Sequence, residues 1–580
     1  MFNYKMMSEI KEIMRRLEDL AARKSNLQLR EIDVGRPMPI PKSSFCEFDV
    51  IKITKTILQL VTSESCDINY LNLLQVRLKE KLSRKKFLLV LDDVKNENYD
   101  DSMKLRSPFD AEVPRSKIIV TTRSSNVSSI MRTVADYSLQ ISSDDDSLST
   151  LAHHALESGD FTGHPDLKKI GLEIVKKCGG LPLAIKVIGG LLRTRVNHDA
   201  WNYILKSDIW NLLEDKSNII PALWLSYYYL SSQLKQCFAY CSLLPKDHEF
   251  KEEIVLLWMA EGFLNEANTK REIEDLGSKY FEELVSRSFF QASSKNKSQF
   301  VMHDLITDLA QSIVGEIYFK RARHDDMKGS VSHTRYSPYI ISKYDGIKKF
   351  ASFSEAKSLQ TYLPFEMMMS QYSRCYLSNN VLNHLLSALK CVRVLSLKRY
   401  YITEIPSSIG NLKHLYYPDF SYTKIKSLPD SIYSLYNLET LLLRFCENFE
   451  KLSLKLGILD NLCHLDITGG NSIEEMPSGI GKLKNLQVLS NFIVGQGDGL
   501  NIREMGNLSN LKDQLCIFEL HNVDEAQYAW EAKLSIKPDL ENLELKWSRG
   551  FNENLRRKEV EKEVLNSLQP HKDIKELAVK

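Results

Sequence analysis

Carboxylates and an arginine follow two apolar runs in the amino-terminal part of the chain, at the spacing that a nucleotide site requires. The run Phe87–Leu91 leads directly into Asp92 and Asp93, and the run Lys117–Thr122 leads into Arg123. If both runs are parallel strands, one carboxylate can hold Mg²⁺, the other can orient an attacking water, and the guanidinium can match phosphate oxygens. The alternatives are an acidic turn after a strand and an arginine in a surface salt bridge.

The sequence that normally completes such a site is missing from all 580 residues. Phosphates are held by G-x-x-x-x-G-K-[ST], whose backbone amides and lysine supply the hydrogen bonds. The segment that ends in Gly481-Lys482 fails the pattern, because Met476 replaces the first glycine and Leu483 follows the lysine. Losing three or four charge-assisted hydrogen bonds of about 1.5–3 kcal/mol each costs roughly 5–10 kcal/mol, or about three to seven decades of affinity. We therefore expect a crippled nucleotide site.

Other reactive side chains give weaker signals. His303, on a predicted helix, is a candidate phosphate contact or a structural histidine. Cys237 and Cys241 lie one helical turn apart in an apolar stretch, which favours two buried thiols over a metal site. The ten cysteines include no C-x-x-C pair, and this usage fits a reducing compartment.

The elements that would position these side chains have the pattern of an α/β domain. Residues 50–61 and 68–82 predict helices, and the two apolar runs predict parallel strands that are buried on both faces. Residues 146–325 are mostly helical in pattern. A glycine pair can end one of these helices before Pro182, which suits the first turn of the next.

Composition and charge indicate a soluble protein of several domains. The net charge of +2 gives no reason to expect nucleic acid or an anionic membrane as a partner. No apolar run approaches the ~20 residues that span a bilayer, and the amino terminus lacks the apolar core of a signal peptide. Residues 8–24 predict one amphipathic helix, which either docks on the rest of the chain or meets a partner helix.

From residue 389 the sequence becomes periodic. Leucines that open an L-x-x-[LV] unit recur at spacings of 23, 23, 24 and 24 residues, at Leu389, Leu412, Leu435, Leu459 and Leu483. A period in this range with this layout predicts a leucine-rich-repeat solenoid. Pro418 falls at an inward strand position and donates no ladder hydrogen bond, so we expect local distortion of the second unit.

The residues between the inward leucines predict a mixed polar and aromatic row along the concave face. The side chains expected to bind a partner there are Lys398, Tyr417, Asp419, Arg444, His464 and Asp466. Such a face suits adaptable binding of another protein. The alternative is that the face docks on other domains of the same chain.

Together these motifs resemble the plant NLR disease-resistance proteins of the coiled-coil, NB-ARC, leucine-rich-repeat type. The stretches that carry the resemblance are Leu88–Val94 (the kinase-2 motif), Ser116–Arg123 (the following strand), Gly180–Ala184 (the first helical subdomain) and Val301–Asp304 (the end of the winged helix). The resemblance implies a multidomain fold of α/β and all-α parts. It comprises a partial NB-ARC module with an incomplete parallel sheet, a helical subdomain and a winged helix, followed by the repeats.

The resemblance also suggests domain boundaries. We expect a coiled-coil remnant at 1–36, a partial nucleotide-binding domain without its phosphate loop at 37–135, the helical subdomain at 136–220, the winged-helix subdomain at 221–325, a connector at 326–385 and truncated repeats at 386–580.

In the family that the chain resembles, ADP holds the protein closed and exchange for ATP opens it. Carried over to this sequence, Asp92 would hold Mg²⁺ and Asp93 would orient the attacking water. Arg123, Pro182 and His303 would contact the nucleotide. ADP or ATP with Mg²⁺ is therefore the cofactor that the resemblance implies.

Three hypotheses about function follow. The first is an immune receptor-like protein that recognises a pathogen effector or a guarded host protein through its repeats. It would work in the cytoplasm or at the inner face of the plasma membrane, without useful ATPase activity. The second is a nucleotide-independent adaptor or decoy, and the third is a defective gene product.

Overall fold

The structure, a computed structural model, describes residues 49–580 with internal gaps. The gaps are residues 65, 67, 84, 93, 110–115, 194, 212–219, 247, 251–252, 265–268, 294–295, 315–333, 342–343, 351–355, 367–374, 496–501 and 548–557. The predictions for residues 8–24 and for Asp93 therefore lie outside the described residues. The chain divides into two units, which are a first unit of residues up to 230 with 245–249 and 285–309, and a second unit of residues 231–244, 250–284 and 310–580.

The first unit opens with helices and a parallel pair of strands. In chain order the elements are α1 (Val50–Thr62), α2 (Leu71–Leu82), β1 (Leu88–Leu91), α3 (Tyr99–Arg106), β2 (Lys117–Val120) and α4 (Ser125–Met131). Strands β1 and β2 pair in parallel, from Leu88 opposite Lys117 to Leu91 opposite Val120. The predicted helices and parallel strands are thus confirmed. Helix α3 is an addition in a polar stretch, where the Asn98 side chain caps the first turn.

One face of this two-stranded sheet is open, so the expectation of strands buried on both faces is wrong. Leu91 joins α1 and α2 in a common apolar cluster, because alternate side chains of a strand point to opposite faces. On the other face Leu88, Val90 and Ile119 are between 49 and 55% exposed. Among the described residues β1 and β2 pair only with each other.

The helical part of the first unit packs around the buried Trp201. Its helices are α5 (Asp144–Ala155), α6 (Pro165–Lys177), α7 (Pro182–Leu192), α8 (His198–Leu205) and α9 (Pro221–Tyr228). As predicted, Pro182 opens α7 and the preceding glycine pair has positive φ. Gly180 has no room for a side chain, because a Cβ there would lie 2.8 Å from the carbonyl oxygen of Ser142.

The region predicted to be a winged helix contributes to both units. Its elements are α10 (Ser232–Tyr240), α11 (Ile254–Glu261), α12 (Lys270–Ser286), β3 (Gln291–Ala292), β4 (Phe300–Val301) and α13 (Asp304–Ile313). Cys237 and Cys241 are fully buried, as predicted. Helix α12 passes close to α11 at Gly277, where a Cβ would lie 2.4 Å from Val255 Cγ1.

Parallel strands, one from each repeat, build the main sheet of the second unit. In chain order these are β5 (Tyr336–Ile341), β7 (Thr361–Glu366), β9 (Val394–Ser396), β11 (Tyr417–Asp419), β12 (Thr440–Leu442), β13 (His464–Asp466) and β14 (Val488–Leu489). The five predicted repeat leucines are all buried in one continuous core. The solenoid is thus confirmed, and its sheet begins with β5 and β7 inside the stretch that was expected to be a connector.

Further elements extend the second unit on both sides of this sheet. They are β6 (Tyr344–Asp345), α14 (Ile347–Phe350), β8 (Cys375–Leu377), α15 (Asn379–Ala388), β10 (Tyr400–Tyr401), β15 (Asn491–Ile493), β16 (Asp513–Phe518), α16 (Ala526–Glu531), β17 (Leu540–Leu545), α17 (Lys558–Leu568) and β18 (Glu576–Val579). Strands β15 to β18 form a second parallel sheet. Within the described ranges, no helix is long and apolar enough to cross a membrane.

Pro418 disturbs the repeat sheet where the sequence predicted it. Strand β11 pairs with β9 over three residues, but with β12 only at Asp419 opposite Leu442. The amide of Phe420, two residues after the proline, donates to the carbonyl of Leu442 at 2.9 Å. The backbone nitrogen of Pro418 carries no hydrogen and cannot donate the preceding hydrogen bond from β11 to β12, so pairing of these two strands is interrupted.

Candidate functional site

The carboxyl ends of β1 and β2 bring two of the predicted nucleotide-site residues to one sheet edge. Asp92 follows β1 and is exposed, and Arg123 follows β2 and is exposed as well. The hydroxyl of Thr121 donates to the Asp92 carboxylate across the two strands. The Thr122 hydroxyl donates to the carbonyl of Val94 at 2.7 Å, which ties the loop after β1 to β2.

The other two predicted nucleotide contacts lie on separate helices of the chain. Pro182 is the exposed first residue of α7. His303 is exposed and precedes α13, where its Nδ1 accepts from the Leu305 amide at 3.2 Å and its carbonyl accepts from the Ile306 and Thr307 amides. His303 therefore caps this helix, and with Nδ1 accepting, the neutral ring carries its proton on Nε2.

The described residues do not fit a magnesium-nucleotide site. In the ranges that the structure covers, no group of three or more His, Cys, Asp or Glu side chains could hold a metal ion. The Asp92 carboxylate already accepts a hydrogen bond from Thr121. The full sequence contains no phosphate-binding loop, which supplies most of the contacts to the phosphates. No chemical step through a nucleotide follows from this arrangement.

The predicted row of partner-binding residues does form on the repeat strands. Parallel pairing sets Tyr417 opposite Val394 and Thr440 opposite His464, so equivalent positions of successive repeats line up across the sheet. Tyr417, Asp419, His464 and Asp466 are nevertheless less than 10% exposed. Of the two alternatives for this face, the structure therefore has the one in which the face docks on another part of its own chain.

Apolar side chains of α11 cover the middle of the row. Leu256, Leu257 and Ala260 pack against Val394, Tyr417 and Leu442 of three successive strands. Burial of this kind contributes about 25 cal/mol per Å² of apolar surface removed from water. Trp258, on another side of α11, is also buried. We call α11 and α12 the docking helices.

Glu274 of the docking helix α12 lies between two basic side chains of the repeats. Its Oε2 is 3.1 Å from His464 Nε2, and its Oε1 is 2.8 Å from Lys512 Nζ. The Glu274 and His464 side chains are 13 and 5% exposed, so water screens them little. Burial by itself raises the pKa of Glu274, but His464 and Lys512 outweigh it and hold this pKa at about 2.

Arg444 makes a second link between the repeats and the docking helices. Its Nη1 lies 2.8 Å from Oε1 of Glu253, the residue that precedes α11, and its Nε donates to Asp466. Asp466 also accepts from the amide and hydroxyl of Thr468, at 3.0 and 2.7 Å. Burial opposes the charge on Arg444, yet Asp466 and Glu253 raise its pKa above the ordinary value.

Glu261 forms the third link, at the end of α11. Its side chain accepts a hydrogen bond from Thr361 of β7, and its carbonyl accepts from Arg393 Nη1 at 2.7 Å. The Tyr240 hydroxyl lies 2.9 Å from the same Thr361 hydroxyl. Glu261 is buried, and burial raises its pKa to about 7 although Thr361 and Arg393 oppose the shift.

Two further ion pairs join α12 to the repeats. Lys270 pairs with Glu439, and Arg271 Nη1 lies 2.8 Å from Asp539 Oδ2. Arg271 and Asp539 are 48 and 34% exposed, so this second pair contributes at most about 1 kcal/mol to stability. Glu261, Glu274 and Arg444, which are less exposed than this pair, therefore dominate the polar part of the contact.

Sequence reasoning identified the repeat side of this contact and missed the other side. Glu274 belongs to α12, whose charged residues have the pattern of a solvated face, and Glu253 and Glu261 flank the apolar run of α11. One signal was available in α11, because the run Ile254–Ala260 contains no polar residue except the indole nitrogen of Trp258. A helix that is hydrophobic all round must be covered on all sides. Of the predicted row, Lys398 alone stays exposed and lies outside the contact.

Comparisons with known proteins match three successive regions of the chain. The family model of the NB-ARC domain matches residues 44–159, that of the disease resistance protein winged helix domain matches 243–310, and that of the leucine-rich repeat region matches 373–578. The three regions occur in the order that the sequence motifs predicted.

Similar chains cover almost the whole sequence. "Putative disease resistance RPP13-like protein 1" of Arabidopsis thaliana is 42% identical over 543 residues, which is 92% of this chain and 51% of that protein. "Disease resistance protein RGA2" of Solanum bulbocastanum is 35% identical over 538 residues, with the same coverage of 92 and 51%. The chain thus spans about half the length of the curated relatives that it matches.

Proposed function

Because this chain belongs to the NB-ARC, leucine-rich-repeat family of plant disease-resistance proteins, we propose that it is an immune receptor-like protein of the defence response. Its repeats recognise a pathogen effector or a guarded host protein. It acts in the cytoplasm or at the inner face of the plasma membrane. Its resting form is held by the contact between the docking helices and the repeats, and not by a bound nucleotide.

The observation that supports this proposal is the set of polar links across the repeat face. Glu274 pairs with His464 in a largely buried setting, Glu253 pairs with Arg444, and the backbone carbonyl of Glu261 accepts from Arg393. Because a buried charge that loses its partner is strongly destabilised, such links hold only when the helices are in register with the strands. We call the predicted partner-binding residues on the repeat strands the strand row. A partner that binds the strand row must first displace the docking helices, so recognition and opening become one event.

The nucleotide takes no necessary part in this scheme. NB-ARC domains typically bind nucleotides, and by family resemblance the cofactor would be ADP or ATP with Mg²⁺. In this chain Asp92, Arg123, Pro182 and His303 would remain as isolated contacts without a phosphate loop. Loss of the loop weakens binding by about three to seven decades, so a micromolar site becomes empty at cellular nucleotide levels.

The same absence favours a second candidate function, a nucleotide-independent adaptor or decoy. Such a protein would present its repeats to a partner without a switch of any kind. The open apolar face of the β1–β2 sheet fits a nucleotide-binding domain that no longer closes around a ligand. The two functions differ in whether the docking helices leave the repeats when a partner binds.

Titration of ADP into the purified full chain, followed by thermal melting, tests the role of nucleotide. We expect a cooperative melt whose midpoint does not change with ADP up to millimolar concentration. A rise of several degrees at micromolar ADP would overturn the proposal, because a ligand stabilises only a state that binds it. A melt without cooperativity would indicate a defective gene product instead.

A further inference from the structure

Three successive repeats place a large side chain where the backbone is left-handed. Arg399, Tyr422 and Phe445 have φ of 67, 61 and 54°, each as the third residue after its repeat strand. In the next repeat the same position is Gly469, with φ of 75°. A non-glycine residue in this conformation costs about 1–2 kcal/mol, and glycine avoids that cost. Backbone strain that persists at equivalent positions of successive repeats points to a functional use of the side chains there.

The backbone fixes these three residues in a line, which we call the stacked column (Arg399, Tyr422 and Phe445). The amide of each donates to the residue that precedes its equivalent in the next repeat. The three bonds run from Arg399 to Ser421 at 2.9 Å, from Tyr422 to Arg444 at 2.7 Å, and from Phe445 to Thr468 at 2.6 Å. The side chains of the column are therefore held at a regular spacing across the repeats.

Side-chain contacts within the column are aromatic and cationic. The rings of Tyr422 and Phe445 stack with centroids 4.9 Å apart and planes at 22°. The guanidinium of Arg399 lies 5.0 Å from the Tyr422 centroid, and Lys398 Nζ lies 5.8 Å from it. The Phe445 ring leans over Gly469, where a Cβ would meet it at 2.5 Å. The glycine thus lets the ring lie flat at the end of the column.

The column stays open to solvent while the neighbouring strand row is covered. Tyr422 and Phe445 are 41 and 44% exposed, whereas Tyr417 on the strand row is 6% exposed. A partner can therefore reach the column before the docking helices move. Two stacked half-exposed rings with two cations beside them present an apolar plane and positive charge together, which suits an aromatic side chain next to a carboxylate.

We propose that the stacked column, with Lys398, binds an acidic peptide segment of another protein that carries an aromatic side chain beside a carboxylate. The inference deepens the proposed function, because it rests on the repeats being the surface that recognises a protein partner. It assigns the first contact to residues outside the strand row. Engagement of the column would bring the partner next to Arg444, which directly precedes Phe445 and links the repeats to Glu253.

The charges around the column favour a peptide over a nucleic acid. In the turn that follows Tyr422, Lys424 pairs with Glu447 and Lys426 lies 4.0 Å from Glu450. These acidic side chains would repel the continuous phosphate backbone of a single strand, which needs a groove of unbroken positive charge. A peptide places one or two carboxylates and can set them beside Lys398 and Arg399.

Glycine substitutions test the column without threatening the fold. Tyr422→Gly and Phe445→Gly remove the rings and also relieve the left-handed strain, as Gly469 already does in the next repeat. Tyr436→Ala is the matched control, because Tyr436 is 63% exposed on the same repeats and outside the column. The probes are a labelled twelve-residue Gly/Ser peptide with one central Asp-Trp pair, its Lys-Trp counterpart, and single-stranded dT12.

We expect saturable binding of the Asp–Trp peptide to the full chain, with weak binding of the other two probes. Tyr422→Gly and Phe445→Gly should each weaken it about fivefold or more, and Tyr436→Ala should leave it unchanged. Lys398→Gln should weaken binding of the acidic peptide and leave binding of the basic peptide unchanged. Equal affinity in the glycine variants and the wild type would overturn the proposal, and so would preferred binding of the basic peptide or of dT12.

Hydrogen exchange on the same samples separates this proposal from the proposed function. If the peptide fails to bind while the amides of α12 remain protected, the column proposal fails alone. If α12 exchanges freely in the unbound wild-type chain, the docked resting form is refuted, whatever the peptide does. Thermal melting of the glycine variants should show a midpoint equal to or above that of the wild type.

Discussion

Replacing Glu274 by glutamine should loosen the docking helix α12 while the repeats stay folded. Glutamine keeps the shape of the side chain but removes the negative charge between His464 and Lys512. Both basic groups are mostly buried, so neither can turn to solvent at no cost. The repeat core does not depend on Glu274, because its buried leucines form their own continuous cluster.

The size of the effect follows from the pKa of Glu274. The folded protein lowers this pKa from 4.5 to about 2. A difference of 2.5 units at about 1.4 kcal/mol per unit is about 3.5 kcal/mol of stability, fully present above pH 4.5. This stabilisation is lost as the pH falls from 4.5 toward 2, because the unfolded chain takes up the proton on Glu274 at a higher pH than the folded protein does.

Hydrogen exchange of the α12 amides measures this directly. We expect Glu274→Gln to speed exchange of these amides by up to about 300-fold at neutral pH, with little change in the repeat strands. Glu282→Gln is the matched control, because Glu282 lies on the same helix with its side chain exposed. Thermal melting should show the gap between wild type and Glu274→Gln narrowing to about half or less at pH 3, because the folded pKa of Glu274 is about 2. Equal exchange in Glu274→Gln and Glu282→Gln would refute the reasoning.

Further variants test other contacts. Glu261→Gln should stabilise the protein by up to about 3 kcal/mol at pH 8 and flatten its melting profile between pH 4.5 and 7, because the buried acid holds a proton there that the unfolded chain releases. Arg444→Ala should lower the free energy of opening of α11, measured by hydrogen exchange, by about 2–3 kcal/mol. The loss should be smaller at low pH, where Asp466 takes a proton. Gly277→Ala should lower the melting midpoint through its clash with α11, by about 1–3 kcal/mol. Val90→Ser should change the melting midpoint by less than the equivalent of about 0.5 kcal/mol, since that side chain is 49% exposed.

The repeat architecture could be predicted because its signal is periodic and local. Leu389 and the four equivalent leucines mark each turn of the solenoid, and their burial follows from the period alone. The interruption at Pro418 was also readable, since a missing amide hydrogen has the same effect in any sheet. The parallel pairing of β1 and β2 followed from two apolar runs of equal length.

The environment of each face could not be predicted in the same way. The runs Leu88–Leu91 and Lys117–Val120 have the composition of strands buried on both sides, yet one side is open, because burial depends on which neighbours are present. The docking of α11 and α12 on the strand row joins residues far apart in the chain, such as Glu274 and His464. No local pattern specifies such a pair, and a charged helix face looks solvated until its partner is known.

Hydrogen exchange of the docking helices in the wild-type chain, with and without ADP, tests the central claim most directly. We expect α11 and the part of α12 up to Leu284 to be protected without nucleotide, and millimolar ADP with Mg²⁺ to leave their exchange rates unchanged. Fast exchange without ADP and strong protection with it would mean that the resting form depends on the nucleotide and not on the links to the repeats.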